Sequence, residues 1–413
     1  MIGGFAVGDG FLNLSITTRS ATAAAAIHGF AEELLSHGAG ARVIFDAVAA
    51  DAECALAHAY AAALFLTQLT REGHAQAAPY LAAAQRLKSG CNAREALTLA
   101  AIAHWWEGDE RSAVAAWREV LILAPEDLVA AKFCQILELS IGDVRGMVYS
   151  AQFTNAIAKP SGYAGGLLAF ALEQAGEAEA ALRYARQAVE RNPDRDPWAQ
   201  HAVAHALAAL GQPCEARSFL QDHSGSWERC SSFMLTHNWW HLALIELDFG
   251  DPDLALAIYD QRVWGVRKGH TQDQINAISL LMRLELDGVD PAVRWTDIAQ
   301  HVENRVSDRV NGFLDLHYLI ALLKSGRMAD ANRLERALQD KPETMALAQG
   351  IVLHTQNNHR AAVATFSEAE RYVHRIGGSN IQRQLFVAIH ADSIARSKAQ
   401  AGRHQAEHEY AAD

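Results

Sequence analysis

A glycine followed by an acidic residue recurs at constant spacing: Gly108-Asp109, Gly142-Asp143 and Gly176-Glu177 stand 34 residues apart. Regularity of this kind constrains the fold more than composition does, because each period must be one structural unit stacked on the next. After Gly176, small residues follow at fixed offsets (Ala181, Ala185, Ala188), and then Pro193. After Gly108 the same offsets carry Ala113, Trp117, Val120 and Pro125. The glycine ends one helix in a turn that needs positive φ. The small residues let the following helix approach its neighbours, and the proline opens the next unit.

This is the tetratricopeptide pattern of paired helices. Weaker copies occur at Gly73 with Ala78, Gly211 with Ala216, Gly250 with Ala255 and Tyr259, and Gly326 with Ala331. Asn357, which tolerates the left-handed region, has Ala362, Phe366 and Ala369 at the same offsets, whereas Gly288 keeps the spacing without the small residue. Strand signals, meaning sustained alternation or Asn-Gly hairpins, are missing. The expected fold is therefore all-α, a right-handed superhelix of about nine to ten helix pairs whose first helices line the concave face. The expected organisation is N-terminal repeats over 1–160, repeats carrying a polar pocket over 161–400, and a polar tail over 401–413 that holds the solvated His404 and His408.

Charge and cysteine usage narrow the function. The formal net charge of the 413 residues is −12, and lysine and arginine are scattered singly. No basic stripe is expected to neutralise phosphates, so neither nucleic acid nor an anionic membrane surface is an expected partner. The N-terminus lacks a signal-peptide pattern and no stretch approaches a bilayer-spanning run. Cys54, Cys91, Cys134, Cys214 and Cys230 are odd in number and form no CxxC pair, which speaks against a disulfide framework or a thiolate zinc site. A cytoplasmic location is expected.

In such a repeat the inner wall falls about 13, 10, 6 and 3 residues before the turn glycine. Those positions are Tyr163, Gly166, Phe170 and Glu173 in one unit, and Trp198, His201, His205 and Ala208 in the next. The following first helix carries His237-Asn238-Trp239-Trp240-His241, and later ones carry Asp273 with Asn276 and Asp315 with His317. Two i,i+4 histidine pairs on adjacent first helices point to a shared polar pocket. A single histidine on a helix is usually a surface residue or a satisfied interior one, and the tryptophans read first as packing.

The chemistry expected of that pocket is general acid/base catalysis on a small organic substrate, by hydrolysis or a related step. His205, His237, His241 and His317 would carry it, with Asp315 and Asp273 orienting imidazoles. Tyr163, Glu173, His201, Asn238, Trp240 and Asn276 would bind substrate. The HAVAH and HNWWH pairs lack the glutamate of zinc peptidases. No cofactor is expected, with a divalent metal on His201, His205, His241 and His317 kept open as the alternative. The competing reading is a non-catalytic scaffold whose groove holds a peptide or protein partner. A homodimer is left open.

The stretches GYAGGLLAFALEQAGEAEAAL, DPWAQHAVAHALAALGQ, THNWWHLALIELDFGDPDLALAIYD, ISLLMRLELDGV, FLDLHYLIALL and GGSNIQRQLF together resemble the tetratricopeptide repeat protein 38 family. The resemblance runs from Gly162 to about Arg396 and implies a fold more than an activity. It singles out Glu173, both HxxxH helices, Asp315 with His317, and a late motif at Gly377, Gly378, Ser379, Gln382 and Arg383. That motif precedes a helix whose amides can hold an anion, so Ser379, Gln382 and Arg383 are expected to anchor a carboxylate-bearing substrate. The bland reading is that Ser379 caps the helix and Arg383 makes a structural pair.

Overall fold

The computed structural model describes residues 14–158, 162–291 and 293–410, with 404–410 described through their backbone only. The N-terminal 13 residues, the tail beyond 410 and the side chains of His404 and His408 lie outside the described residues. The chain is an all-α array of tetratricopeptide-type helix pairs, with no strand among the described residues. It divides into two compact units, 1–245 and 246–413.

Unit 1 opens with α1 (Ala21–Leu35) and α2 (Ile44–Ala50), followed by paired helices. The pairs are α3 (Ala55–Leu66) with α4 (Arg71–Leu87), α5 (Ala93–Trp106) with α6 (Glu110–Leu123), and α7 (Leu128–Ser140) with α8 (Val144–Ile157). Then come α9 (Tyr163–Gln174) with α10 (Ala178–Arg191), α11 (Pro197–Ala209) with α12 (Pro213–His223), and α13 (Ser232–Asp248). Unit 2 contains α14 (Pro252–Ile258), α15 (Thr271–Leu286), α16 (Arg294–Val302), α17 (Gly312–Lys324), α18 (Met328–Ala337), α19 (Pro342–Thr355), α20 (His359–Ala369) and α21 (Asn380–Tyr410).

The glycine-acid dipeptides perform two jobs in one turn. Gly108, Gly142 and Gly176 all have positive φ, as do Gly211, Gly250, Gly288 and Gly326, and Asn357 takes the same conformation at φ 60°. That geometry lets the Glu177 N–H donate to the Leu172 carbonyl at 2.9 Å, closing the end of α9. At two of the three turns the acidic residue then caps the next helix: Asp109 accepts from the Ser112 amide and Asp143 from the Gly146 amide, both at 3.0 Å, whereas Glu177 makes no side-chain cap. The small residues behind these turns, Ala113, Ala181, Ala185 and Ala188, are completely buried. Gly73 is different. It lies inside the first turn of α4, its amide donating to the capping Thr70 hydroxyl at 2.9 Å, and the left-handed residue of that turn is Leu69.

The repeat frame does not foresee the course of residues 14–38. Arg94 on α5 donates to the Ser15 carbonyl at 2.9 Å, and the Thr17 amide donates to Glu95 at 2.7 Å. Phe30 of α1 meets Tyr60 of α3, and α1 also packs on α7. Beyond α1, His37 lies on the Trp198 ring of α11, its carbonyl accepts from the Ser231 amide, and Gly38 bridges to Cys230 just before α13. The segment thus runs along the first helices of its own unit from α5 to α13. All twelve residues of α9 are buried, as expected of a helix covered on every side.

Candidate functional site

The polar centre of unit 1 is built by α11 and α13, with α9 alongside. Asp196 caps α11 and Pro197 starts it, which sets the phase that puts His201 and His205 one above the other. His237 and His241 are related in the same way on α13. The two pairs converge. Ring centroids lie 4.3 Å apart for His201–His205, 4.6 Å for His205–His241, and 4.8 Å for His201–His237, His201–His241 and His237–His241. One nitrogen from each of the four falls within 4.8 Å of the others. None of the four is more than 3% exposed.

One contact fixes a tautomer. His205 Nδ1 is 3.1 Å from Glu173 Oε2 on α9. A carboxylate there selects the Nδ1–H form, which leaves Nε2 as a lone pair, and that nitrogen is buried without a hydrogen-bond partner. His237 Nε2 and His201 Nε2 are 3.1 Å apart. Burial, and then the neighbouring rings of His205, His241 and His237, hold His201 well below the ordinary imidazole value. His201 is therefore held in its neutral form. Aromatic rings wall it: Trp198 is 4.7 Å from His201, Phe170 stands edge-on to His205 at 5.7 Å, and Trp240 stacks on His237 at 5.3 Å.

Other residues expected at the site fall in several places. Tyr163, Glu173, Asn238 and Trp240 are all buried in unit 1. Asn238 is fully buried, and neither of its amide atoms has a hydrogen-bond partner. Asp273, Asn276, Asp315, His317, Ser379, Gln382 and Arg383 belong to unit 2. There His317 Nδ1 donates to the Phe313 carbonyl at 2.8 Å, Asp315 lies 3.9 Å from Lys341, and Asp273 lies 3.2 Å from His270. Ser379 and Gln382 form a reciprocal cap: the Ser379 amide donates to Gln382 at 2.8 Å and the Gln382 amide to the serine hydroxyl at 3.3 Å. Arg383 donates to the Gly378 carbonyl and, at 2.6 Å, to Asn380. The fourth histidine of the unit 1 quartet is His237, in the place where the sequence suggested His317.

Three residues beside the quartet were not anticipated. Lys132 of α7 has its ammonium 3.7 Å over the Trp198 ring, and burial lowers it to about 7. Asp196 is pushed up to about 7 by burial, and its Oδ2 has no hydrogen-bond partner. His37 stacks on the same tryptophan. Lys132 was within reach of the repeat frame, since it stands ten residues before Gly142, an inner-wall position. His37 precedes the first glycine turn and no periodic signal could mark it.

No family model matches this chain. Among solved structures it is similar to a human IFIT1 dimer with m7Gppp-AAAA, at 13% identity over 90% of this chain and 86% of that one, with a TM-score of 0.46. It is also similar to the P58(IPK) TPR domain, at 14% identity over 79% and 94% of the two chains, TM-score 0.21. A third is Naa15/Naa10 bound to HypK-THB, at 13% identity over 85% and 63%, TM-score 0.27. The partners named in these structures are m7Gppp-AAAA and HypK-THB. The expected partner set, a small carboxylate-bearing substrate with no nucleic acid, is corrected accordingly. The correction has a physical reason as well: four imidazoles in ring contact fill the space that a substrate would need.

Proposed function

We propose that the chain is a non-catalytic tetratricopeptide-type scaffold that holds a protein or peptide partner, and that its histidine centre is interior structure. The observation that carries this reading is the mutual packing of His201, His205, His237 and His241 at no more than 3% exposure. A general base must reach the proton it removes, and a substrate site is a concave cavity. Rings 4.3 to 4.8 Å apart leave no such cavity between them. The resemblance to the tetratricopeptide repeat protein 38 family belongs to the same reading, since it too implies a fold more than an activity. A cytoplasmic location fits five free cysteines.

Residues 14–38 lie along the first helices of unit 1, so partner contact there falls on other surfaces. Ile122 and Leu123 of α6 and Tyr149 and Ile157 of α8 are at least half exposed, apolar surface of the kind that partners cover. Histidine-selective acylation of the native protein, read by mass spectrometry, tests the sealed centre. The exposed His74 and His374 should react while the four central histidines stay unmodified until the protein unfolds. Rapid native labelling of the four would restore an accessible reaction centre and sink the scaffold reading. A Tyr149→Glu/Ile122→Glu variant should lose a protein that co-purifies with the wild type. Equal retention by both, or capture of single-stranded RNA instead, would count against a protein partner on this surface.

A further inference from the structure

We propose that His201, His205, His237 and His241 together bind one first-row divalent transition-metal ion, zinc by geometry, as a clamp that ties α11 to α13. The inference stands on the geometry of the quartet and does not require the scaffold reading. A metal clamp can exist in a chain of any function, and a scaffold can lack one.

Consider first what the four rings do without an ion. An imidazole pair can share a single proton between two facing nitrogens, which accounts for His201 and His237 at 3.1 Å. It does not account for His205. That ring is completely buried, its Nδ1 is engaged by Glu173, and its Nε2 has no hydrogen-bond partner. A buried acceptor left in this state is destabilising. Leucine or phenylalanine would fill the same volume with no orphaned nitrogen. Four histidines are a poor way to build an apolar core and a good way to build a ligand set.

The arrangement also meets the requirements of coordination. A tetrahedral ion with metal–nitrogen bonds of about 2.0 Å holds its ligand atoms about 3.3 Å apart. The His201–His237 nitrogen separation of 3.1 Å is already close to that edge. The whole set lies within 4.8 Å, so side-chain rotations alone would complete the tetrahedron. Glu173 supplies the partner that metal-bound histidines characteristically have: a carboxylate on the far ring nitrogen that fixes the tautomer and points Nε2 at the metal. Its negative charge offsets part of the ion's charge in the aromatic surroundings of Phe170, Trp198 and Trp240. The ligands are four neutral nitrogens with no carboxylate or carbonyl oxygen among them, which suits zinc, copper or nickel and does not suit calcium or magnesium. Four protein ligands leave no open position, so the site is structural.

The test uses the untagged full-length protein, purified from zinc-supplemented medium and desalted. Elemental analysis should find about one transition-metal ion per chain. Cobalt(II) exchanged into the protein should give the intense visible absorption of a tetrahedral centre. A strong chelator should lower the melting temperature, and one equivalent of zinc should restore it. The His201→Ala/His241→Ala variant should lose the ion. Because that variant removes two packed rings, Glu173→Gln serves as the second test. It keeps all four ligands, and should weaken zinc binding by about 10- to 100-fold while the fold persists. Metal-free wild-type protein whose melting temperature is unmoved by zinc, cobalt, copper or nickel would overturn the proposal. So would a double variant that retains the ion as tightly as the wild type, since the metal would then lie on other histidines.

Discussion

The two units use the same polar alphabet to opposite effect. In unit 1, histidines on α11 and α13 face one another across two adjacent first helices, and Glu173 reaches in from a third. In unit 2, the polar residues are taken up by the unit's own backbone and helix cap. His317 bonds to a carbonyl of its own helix and packs between Phe313 at 4.5 Å and Phe386 at 5.7 Å. Ser379 and Gln382 close a helix start, and Arg383 turns back onto the carbonyls that precede it. Arg283 likewise bonds to the Ile381 carbonyl at 2.9 Å. An i,i+4 pair becomes a centre only when the neighbouring helix presents a second pair at the same height. His317, a single imidazole, finds its partner within one turn of its own backbone.

The largest effect expected from this contrast is on stability. His201 touches three imidazoles and Trp198, so His201→Ala should cost on the order of 3–5 kcal/mol, as for other buried rings. His317→Ala loses two phenylalanine contacts and one hydrogen bond, and should cost about half as much. Urea unfolding followed by tryptophan fluorescence measures both. Equal costs would mean that convergence in unit 1 adds nothing beyond burial.

A pH effect should come next, and from unit 2. Burial pushes Asp315 up to about 6, against the pull of Lys341 and Arg309. A raised carboxyl pKa means that the folded state holds its proton longer than the unfolded chain does. Its contribution is full below about pH 4 and is lost as the pH rises through about 6. Asp315→Asn should therefore flatten the stability profile between pH 4 and 7 by on the order of 2 kcal/mol. An unchanged slope would show that this carboxyl titrates normally. The smallest effect is at the cap: Ser379→Ala should cost about 1 kcal/mol. A much larger loss, out of proportion to one cap, would give Ser379 a role beyond starting α21.

Much of this was legible in one dimension. The turn glycines, including Gly288 in the unit without its small residue, all have the positive φ that their spacing demanded, and Asn357 takes over where glycine gives way. Gly73 misled because α4 needs a close approach there: a Cβ would meet the Phe65 carbonyl at 2.6 Å. That requirement selects glycine as strongly as a turn does. The two HxxxH pairs were visible as faces, because helical periodicity fixes which residues share a side. What they faced was not visible. Lys132 and His37 reach Trp198 from two separate segments, and His37 occupies no repeat position that periodicity could single out.

By itself, then, the sequence determined the helix pairs, their turns and the pairing of histidines along each helix, since all three follow from local backbone geometry and a period of 34 residues. Only the tertiary structure decided that His237 completes the quartet, that Glu173 orients His205, and that residues 14–38 lie along the first helices of unit 1. Those outcomes depend on contacts between segments far apart in the chain. No periodic pattern encodes them, and burial converts a row of polar side chains from a surface into an interior.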